Sequence, residues 1–250
     1  AVELAIHMAR ATTGSNDMLS LSNSYHGSYG TAHGITGPSE NGGGCRFDSM
    51  PCTNNIYHLD APIYDNASLD RVDCLIQQAE QTILEKCTTT TTTTSSDANG
   101  DANADGDVTK PGTAGFIFET LQGYGGIHVL SNEYLQKMTK LVHQYGGLVI
   151  ADEIQTGLGR MGETFWAYEM SSIEPDIVIT AKGLGNGFPI SAIICKESIF
   201  SKFNSNNKFI FSTYGANAVS CAVGCTVIDI IQNNHIQQSC LKLGSLLQKM

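Results

Sequence analysis

The chain has 250 residues, of which 41% are hydrophobic and 15% are charged. This length allows one large α/β domain or two small ones. The formal charge of −10 argues against a nucleic-acid partner, which needs clustered Lys and Arg, and no apolar run approaches the length needed to span a bilayer.

Both ends of the chain indicate an internal piece of a longer protein. It begins at Ala1, without Met, and lacks the charged and apolar segments of a signal peptide. It ends at Met250 within a predicted amphipathic helix. The eight cysteines include no CxxC pair and no set with zinc-finger spacing, which favours free thiols in a reducing compartment over disulfides.

The first half of the chain opens with a predicted helix over 1–11 and a strand over 17–22, followed by Tyr25-His26-Gly27. Such a loop can present an aromatic face to a flat ligand, or it can form a turn with an aromatic plug. Residues 34–65 are predicted to be irregular. An amphipathic helix over 66–87 follows, with apolar residues at helical spacing.

Two segments of this half carry other signals. Cys45, Cys52 and His58 suggest a metal site, but ordinary loop residues are favoured because no fourth ligand stands at a useful spacing. Residues 88–109 are of low complexity and start with seven consecutive threonines. They cannot bury enough apolar surface to offset their ordering entropy, so we predict a mobile surface insertion rather than a domain boundary.

The second half alternates strands and helices, which is typical of an α/β domain with a parallel sheet. The predicted elements are strands over 114–119, 148–151 and 177–180, an antiparallel strand over 189–195, and helices over 131–145, 218–233 and 234–250. The strand, helix and strand over 114–151 form a βαβ unit, whose crossover makes its two strands parallel.

Charged side chains stand at the ends of three of these strands. Glu119 ends the first, Asp152 follows the second, and Lys182 follows the third. The carboxyl ends of parallel strands meet at one edge of a sheet, where α/β proteins bind their ligands. A desolvated lysine can form a Schiff base with an aldehyde, and an acid opposite can pair with a protonated pyridine nitrogen. Together they indicate pyridoxal phosphate (PLP).

A competing motif lies between these residues. Gly157, Gly159 and Gly162 form a literal GxGxxG after a strand, and Glu174 and Asp176 stand near the distance of a ribose-binding acid. Against a dinucleotide site, five residues separate the strand from the first glycine, and the segment that follows is too short for the expected helix. We therefore favour the PLP hypothesis over the dinucleotide hypothesis.

Three sequence blocks carry a family resemblance. They are ADEIQTGLGR over 151–160, PDI over 175–177 and AKGLGNGFP over 181–189. Together with Tyr25-His26-Gly27, Glu119 and Thr213, they resemble the class III (ω-type) aminotransferases, which are PLP enzymes of fold type I. The loop over 41–62 and the FWAYE stretch over 165–169 resemble most the mitochondrial alanine–glyoxylate aminotransferase branch.

The resemblance implies an α/β fold and a domain organisation. Residues 1–233 would form the PLP-binding large domain of fold type I, with a mostly parallel central sheet, one antiparallel strand and helices on both faces. The low-complexity insertion over 88–109 lies within it. Residues 234–250 would begin the connection to a small C-terminal domain, and the branch suggests a mitochondrial protein.

The resemblance also implies a role for each candidate site residue. Lys182 would be the catalytic residue, because it forms the Schiff base and carries a proton. Asp152 would pair with the pyridine nitrogen, and Gln155 would hydrogen-bond the 3-oxygen of the cofactor. The other cofactor-binding residues would be Tyr25 on the ring face, His26 beside it, Glu119 near the cofactor with an influence on which substrate end is accommodated, and Thr213, which would reach the phosphate in a neighbouring subunit.

These roles imply transfer of an amino group from an amino acid or amine, such as alanine, to a 2-oxo acid such as glyoxylate. They also imply a homodimer or a dimer of dimers with shared active sites, and no metal, nucleic-acid or membrane partner. Two alternatives stay open. One is a PLP lyase acting on a phosphorylated amine, and the other is an inactive homologue that serves as a subunit.

The chain departs from the family pattern at two places. Thr120 stands where the family has Pro, and Gly215-Ala216-Asn217-Ala218 stands where it has Gly-Gly-Asn-Pro. The resemblance further places the phosphate loop before Ala1 and the arginine that binds the substrate carboxylate beyond Met250. We therefore expect this piece to hold the cofactor chemistry but to be inactive alone.

Overall fold

A six-stranded sheet forms the centre of the computed structural model. The structure describes residues 1–37, 54–62, 68–91, 94–96, 102–104, 108–205 and 211–250. The strands are β1 (Met18–Leu21), β2 (Ile56–Leu59), β3 (Thr88–Thr91), β4 (Thr94–Ser96), β5 (Ala102–Ala104), β6 (Val108–Pro111), β7 (Gly115–Phe118), β8 (Leu121–Gln122), β9 (His128–Val129), β10 (Leu148–Asp152), β11 (Ile177–Thr180) and β12 (Ala192–Cys195). The helices are α1 (Val2–Thr13), α2 (Gly30–Ile35), α3 (Leu69–Lys86), α4 (Asn132–Gln144), α5 (Glu197–Ser205), α6 (Ala218–Asn233) and α7 (Ile236–Leu247).

The central sheet has the strand order β12-β11-β10-β7-β1-β2. Strands β1 and β2, β1 and β7, β7 and β10, and β10 and β11 pair in parallel. Strand β12 pairs antiparallel with β11, so that Ile177 lies opposite Cys195. The expected mostly parallel sheet with one antiparallel strand is confirmed.

Helices cover both faces of this sheet. Because side chains alternate along a strand, Phe116 and Val149 enter one core with helices α3 and α4. Their neighbours Ile117 and Ile150 enter a second core with α1, α2 and α5. Burial on both faces explains why these strands read as continuous apolar runs in the sequence.

Three neighbouring strands, β7, β10 and β11, bring the charged residues to one edge. In the register of the sheet, Ala151 of β10 lies opposite Phe118 of β7, and Asp152 lies opposite Ile179 of β11. The residues that follow these positions in each strand therefore emerge side by side. The sequence-based placement of Glu119, Asp152 and Lys182 at one edge is confirmed.

Some short elements were not predicted. Strand β2 lies within 34–65, which the sequence predicts to be irregular, and it extends the sheet beside β1. Its Tyr57 and His58 are only half-buried, so the four residues lack the apolar run of a central strand. Helices α2 and α5 were also missed. Cys45 and Cys52, considered above as metal ligands, lie outside the described residues.

The low-complexity insertion contains paired backbone. Strand β3 pairs antiparallel with β6, and β4 pairs antiparallel with β5. The sequence predicts a mobile segment here and none of these strands. Pairing needs only backbone N–H and C=O groups, which threonine provides as well as any other residue, so the apolar content could not reveal it. The mobility of the segment stays a prediction.

Within the described ranges, no helix is both long and apolar enough to cross a membrane. Those ranges also hold no group of three or more His, Cys, Asp or Glu side chains that could bind a metal ion.

Candidate active site

A cavity of about 250 Å³ opens at the carboxyl edge of the sheet. Its walls are Tyr25, His26, Gly27, Glu119, Tyr124, Asp152, Ile154, Gln155, Ala181 and Lys182. These residues come from the loop after β1, the end of β7, the turn between β8 and β9, the end of β10 with the loop that follows it, and the turn after β11. Six of the seven site residues predicted from the sequence therefore surround one cavity, and Thr213 is the exception.

Asp152 and His26 form a buried pair at the floor of the cavity. His26 Nδ1 lies 2.7 Å from Asp152 Oδ2, and the two residues are 4% and 5% exposed. The other carboxylate oxygen, Oδ1, accepts a hydrogen bond from the Ile154 backbone N–H at 3.2 Å. Both oxygens are thus held, which fixes the plane of the carboxylate before any ligand arrives.

Glu119 is the second buried acid of the cavity. Its Oε1 accepts a hydrogen bond from the Tyr25 backbone N–H at 2.8 Å, and the residue is 6% exposed. Burial raises the pKa of this carboxyl to about 7, while His26 and the Tyr25 N–H act in the opposite direction. Near neutral pH Glu119 can therefore exist as the neutral acid or as the carboxylate.

An aromatic pair forms the side of the cavity. The rings of Tyr25 and Tyr124 lie 5.0 Å apart, centre to centre, at an angle of 35°. The Tyr25 hydroxyl is hydrogen-bonded to Ser28 Oγ at 2.7 Å. These contacts fix the orientation of the half-buried Tyr25 ring, so that it can pack on a flat ligand.

Gln155 is placed by a close approach to a glycine. A Cβ atom on Gly123 would lie 2.4 Å from Gln155 Oε1, so no other residue type fits at position 123 while the amide stays where it is. The side chain of Gln155 is exposed at the cavity mouth. This contact links the turn after β8 to the loop after β10.

Lys182 occupies a strained position between two cavities. It begins a short 3-10 turn (Lys182–Leu184) and has φ of 39°, in the left-handed region that non-glycine residues rarely adopt. It lines both the cavity described above and a neighbouring one of about 560 Å³. A desolvated lysine was expected from the sequence, but the side chain of Lys182 is exposed, because strand β11 ends before it and the residue lines both cavities.

Thr213 is not at this site. It lies in an exposed turn that precedes α6. The neighbouring Ala216 has φ of 55°, at a position where the family has Gly, so the replacement is accommodated in the left-handed region at some cost. The proposed contact of Thr213 with a neighbouring subunit stays a prediction.

The GxGxxG segment has packing roles in the structure. Gly159 and Gly162 have φ of 76° and 83°, which glycine adopts freely. A Cβ on Gly157 would lie 2.8 Å from the ring of Trp166, and one on Gly162 would lie 2.7 Å from the Leu241 backbone N. These contacts account for the motif without a dinucleotide.

Two residues of the site were missed by sequence reasoning. Tyr124 and Gly123 lie in the glycine-rich turn between β8 and β9, a segment that the sequence does not connect to the site. The available signal in the sequence was an aromatic residue among glycines. The spacing of Tyr124 does not connect it to Tyr25, and its exposure of 57% is known only from the structure.

A model of the family described as aminotransferase class III matches residues 1–250. The chain belongs to the class III aminotransferase family. Members of this family depend on PLP, so the cofactor inferred from the strand-end residues and the resemblance is supported.

Similar proteins agree with this family assignment. The chain is 32% identical over 247 residues to the mitochondrial alanine–glyoxylate aminotransferase 2 homolog 2 of Arabidopsis thaliana, with 99% of this chain and 46% of the relative covered. An amine transaminase from an uncultivated Pseudomonas species, solved in its PLP-bound form, matches with a TM-score of 0.78 and 26% identity over 99% of this chain and 54% of the other. A phospholyase from Arthrobacter, in complex with phosphoethanolamine, matches with a TM-score of 0.76 and 27% identity over 99% and 53%.

The chain spans about half the length of the relatives that it matches. The resemblance to the alanine–glyoxylate aminotransferase branch is confirmed by the first of these relatives.

The cavity of this class III aminotransferase chain fits PLP. A flat pyridine ring requires an aromatic surface, an acid for its nitrogen and an amine for its aldehyde. Tyr25, Asp152 and Lys182 offer these three groups around one space. The Asp152 carboxylate is already held by His26 and the Ile154 N–H, so it need not reorganise when the ring binds.

Proposed function

We propose that the protein transfers an amino group from an amino acid or amine such as alanine to a 2-oxo acid such as glyoxylate, with PLP as cofactor. The observation that carries this proposal is the single cavity in which Lys182, Asp152 and Gln155 meet. The family assignment supports the reaction type, and the Arabidopsis relative supports the choice of alanine and glyoxylate.

The residues of the cavity would have different roles in this reaction. When bound, PLP supplies an electron-accepting ring that stabilises negative charge at the substrate α-carbon. Lys182 Nζ would hold the cofactor covalently and move the proton to and from that carbon. Asp152 would keep the proton on the pyridine nitrogen, because a carboxylate favours the protonated partner.

Four other residues would orient the cofactor and the substrate. His26 holds Asp152 in place through its Nδ1–H. Gln155 would donate a hydrogen bond to the 3-oxygen, and Tyr25 would pack on the ring. Glu119, which can gain or lose a proton near pH 7, would influence which end of the substrate lies on its side of the cavity.

We further propose that the active protein is a homodimer or a dimer of dimers. In this assembly Thr213 of one subunit would bind the cofactor phosphate of its neighbour. The exposed turn that holds Thr213 supports this role, since the side chain lies away from the cavity of its own chain. The name of the Arabidopsis relative supports a mitochondrial location.

A second candidate is a PLP lyase acting on a phosphorylated amine. The similarity to the Arthrobacter phospholyase favours it, since that chain has almost the same identity and TM-score as the amine transaminase. The two reactions differ in their products: transamination of alanine with glyoxylate gives pyruvate and glycine, whereas elimination from a phosphorylated amine releases inorganic phosphate and makes no amino acid.

The test uses the full-length protein with each substrate set. We expect glycine and pyruvate from alanine and glyoxylate, and no phosphate release from phosphoethanolamine. Lys182→Ala should lose both activity and the covalently held cofactor, measured by mass spectrometry after borohydride reduction. Phosphate release without glycine would establish the lyase. Cofactor that stays covalently bound in Lys182→Ala would reject the role of Lys182, and absence of both products would favour the inactive homologue.

A further inference from the structure

The buried His26 and the half-buried His58 each have one buried ring nitrogen without a partner among the described residues. His26 Nδ1 donates to the Asp152 carboxylate at 2.7 Å, and His58 Nε2 donates to the Gly34 carbonyl at 3.2 Å. Both acceptors lack hydrogens, so these two nitrogens carry the ring protons. Among the described residues, nothing donates to the remaining nitrogens, His26 Nε2 and His58 Nδ1, although both atoms are buried.

The two rings belong to one polar region. His58 lies opposite Ser20 in the register of β2 with β1, and His26 follows the end of β1. One short segment anchors both residues, because Thr36 Oγ1 accepts the His26 backbone N–H at 3.0 Å and Gly34, two residues earlier, accepts the His58 ring. Burial lowers the pKa of His58, and the nearby His26 lowers it further, which keeps His58 neutral.

Neither nitrogen has a hydrogen-bond partner among the described residues, so the two are not bonded to one another. A water molecule can both donate and accept hydrogen bonds, so it can satisfy both nitrogens at once, as buried waters do for polar groups that the protein leaves unpaired. We propose that one water molecule bridges His26 Nε2 and His58 Nδ1, and that through it His58 is a positioning residue for His26 and Asp152.

The bridge completes a chain of fixed contacts. It runs from the Gly34 carbonyl through His58, the water and His26 to the Asp152 carboxylate. His58 is held by its bond to Gly34, so the water is held in turn, and the His26 ring cannot rotate away from Asp152 without losing a hydrogen bond. The expected effect of the bridge on catalysis rests on the proposed function, whereas the bridge itself does not.

The bridge is tested on the full-length, cofactor-free protein. A crystal structure that resolves ordered waters should show one within ~3 Å of both nitrogens. In protein labelled with ¹⁵N at histidine, His58→Phe should shift the His26 Nε2 resonance, because the water loses one of its two anchors. His58→Asn keeps an acceptor for the water at the position of Nδ1, and should restore the resonance. His235→Asn, a change at an exposed residue before α7, is the matched control.

Catalysis tests the positioning role separately. His58→Phe should lower kcat about tenfold, the weight of one hydrogen bond, with KM unchanged, and His58→Asn should recover it. The bridge is overturned if the crystal structure shows no water at the site, or if the His26 Nε2 resonance does not move in His58→Phe. If His58→Phe fails to fold, the wild-type crystal structure alone decides whether the water is present. A confirmed bridge with unchanged kcat overturns the positioning role. A wild-type protein without transaminase activity would reject the proposed function and leave the bridge standing.

Discussion

The buried carboxyl of Glu119 should make folding stability depend on pH. Burial raises its pKa from 4.5 to about 7, against smaller opposing effects from His26 and the Tyr25 N–H. Between these values the folded protein keeps a proton that the unfolded chain has released. The stability that Glu119 contributes is therefore fully present below pH 4.5 and is lost as the pH rises to about 7. The difference between a pKa of 4.5 in the unfolded chain and one of about 7 in the folded protein corresponds to ~3 kcal/mol.

Urea denaturation between pH 4.5 and 8 measures this effect in the cofactor-free, full-length protein. Glu119→Gln keeps an acceptor for the Tyr25 N–H but does not titrate. Its free energy of unfolding should therefore fall less across this pH range than that of the wild type, and the difference between the two decreases should be up to ~3 kcal/mol. Glu163→Gln, at an exposed residue, should follow the wild type. Parallel curves for Glu119→Gln and the wild type would contradict a raised pKa.

At the residue scale, the sequence predicts site members that stand at strand ends. Asp152 and Lys182 were found because short apolar runs stop directly before them. The pairing of His26 with Asp152 was not predicted, since these residues lie 126 positions apart in the sequence. The partnerless nitrogen of His58 could not be predicted at all, because it depends on the register of β2, a strand that the sequence did not reveal.

At the element scale, Asp176 ties β11 to its surroundings on the edge opposite the cavity. Its Oδ2 accepts from the Val149 N–H and from His143 Nε2, each at 2.8 Å, and its Oδ1 accepts from Lys196 Nζ at 2.9 Å. Burial alone would raise the pKa of Asp176, but these hydrogen bonds outweigh it and lower the pKa below 3.8. One side chain thus joins β10, α4 and the start of α5.

Asp176→Asn should lower the free energy of unfolding at pH 7 by ~1–2 kcal/mol, measured by urea denaturation. The value is modest because His143 and Lys196 are each 41% exposed, so solvent screens their charges. With a depressed pKa, the stabilisation is present above pH 3.8 and is lost at lower pH, so the two proteins should converge there. Glu174→Gln is the control, because Glu174 is 86% exposed and lies 3.9 Å from Lys196 Nζ. An equal loss in Glu174→Gln would show that the burial of Asp176 is unimportant.

The glycine at 162 sets how closely α7 approaches the loop after β10. A Cβ there would lie 2.7 Å from the Leu241 backbone N, and the φ of 83° is itself unfavourable for alanine. Gly162→Ala should destabilise the protein by at least ~1 kcal/mol. It should also speed hydrogen exchange of the amides of α7, which is read by mass spectrometry.

A substitution at a second glycine distinguishes the effect of backbone strain from the effect of the contact with α7. Gly146 has a similar φ of 74°, but a Cβ on it would meet no atom within 4 Å. Gly146→Ala should therefore cost stability through backbone strain alone and leave exchange in α7 unchanged. Equal exchange in α7 for both variants would mean that the contact of Gly162 with α7 does not hold the helix.

The sequence predicts those elements that have a clear pattern of apolar residues of their own. Strand β11 was predicted with its observed bounds, because Ile177–Thr180 is buried throughout. The helix over 131–145 was also predicted, and at its start Ser131 Oγ accepts the Tyr134 N–H. Strand β2 and helix α2 escaped because each is short and takes its stability from neighbouring elements rather than from its own pattern.

At the scale of the whole molecule, the last two helices leave an apolar surface open. Among their exposed side chains are Val219, Ile230, Leu243, Leu246 and Leu247, and none of the residues of α7 is buried. Exposed apolar surface of this kind marks a contact with other protein. The turn with Thr213 directly precedes α6, which is consistent with an interface that carries Thr213 to a second subunit.

If sites are shared in this way, two inactive variants of the full-length protein should restore one another. Lys182→Ala lacks the covalent anchor, and Thr213→Glu places a carboxylate against the cofactor phosphate. In a mixed dimer, one site combines the intact Lys182 with the intact Thr213 of the other subunit. After equal mixing and exchange of subunits, we expect roughly a quarter of wild-type transaminase activity, because half of the dimers are mixed and each has one intact site. Lys182→Ala mixed with Asp152→Ala should stay inactive, since each chain then spoils its own site. Failure of the first pair to recover would place Thr213 outside the neighbour's site.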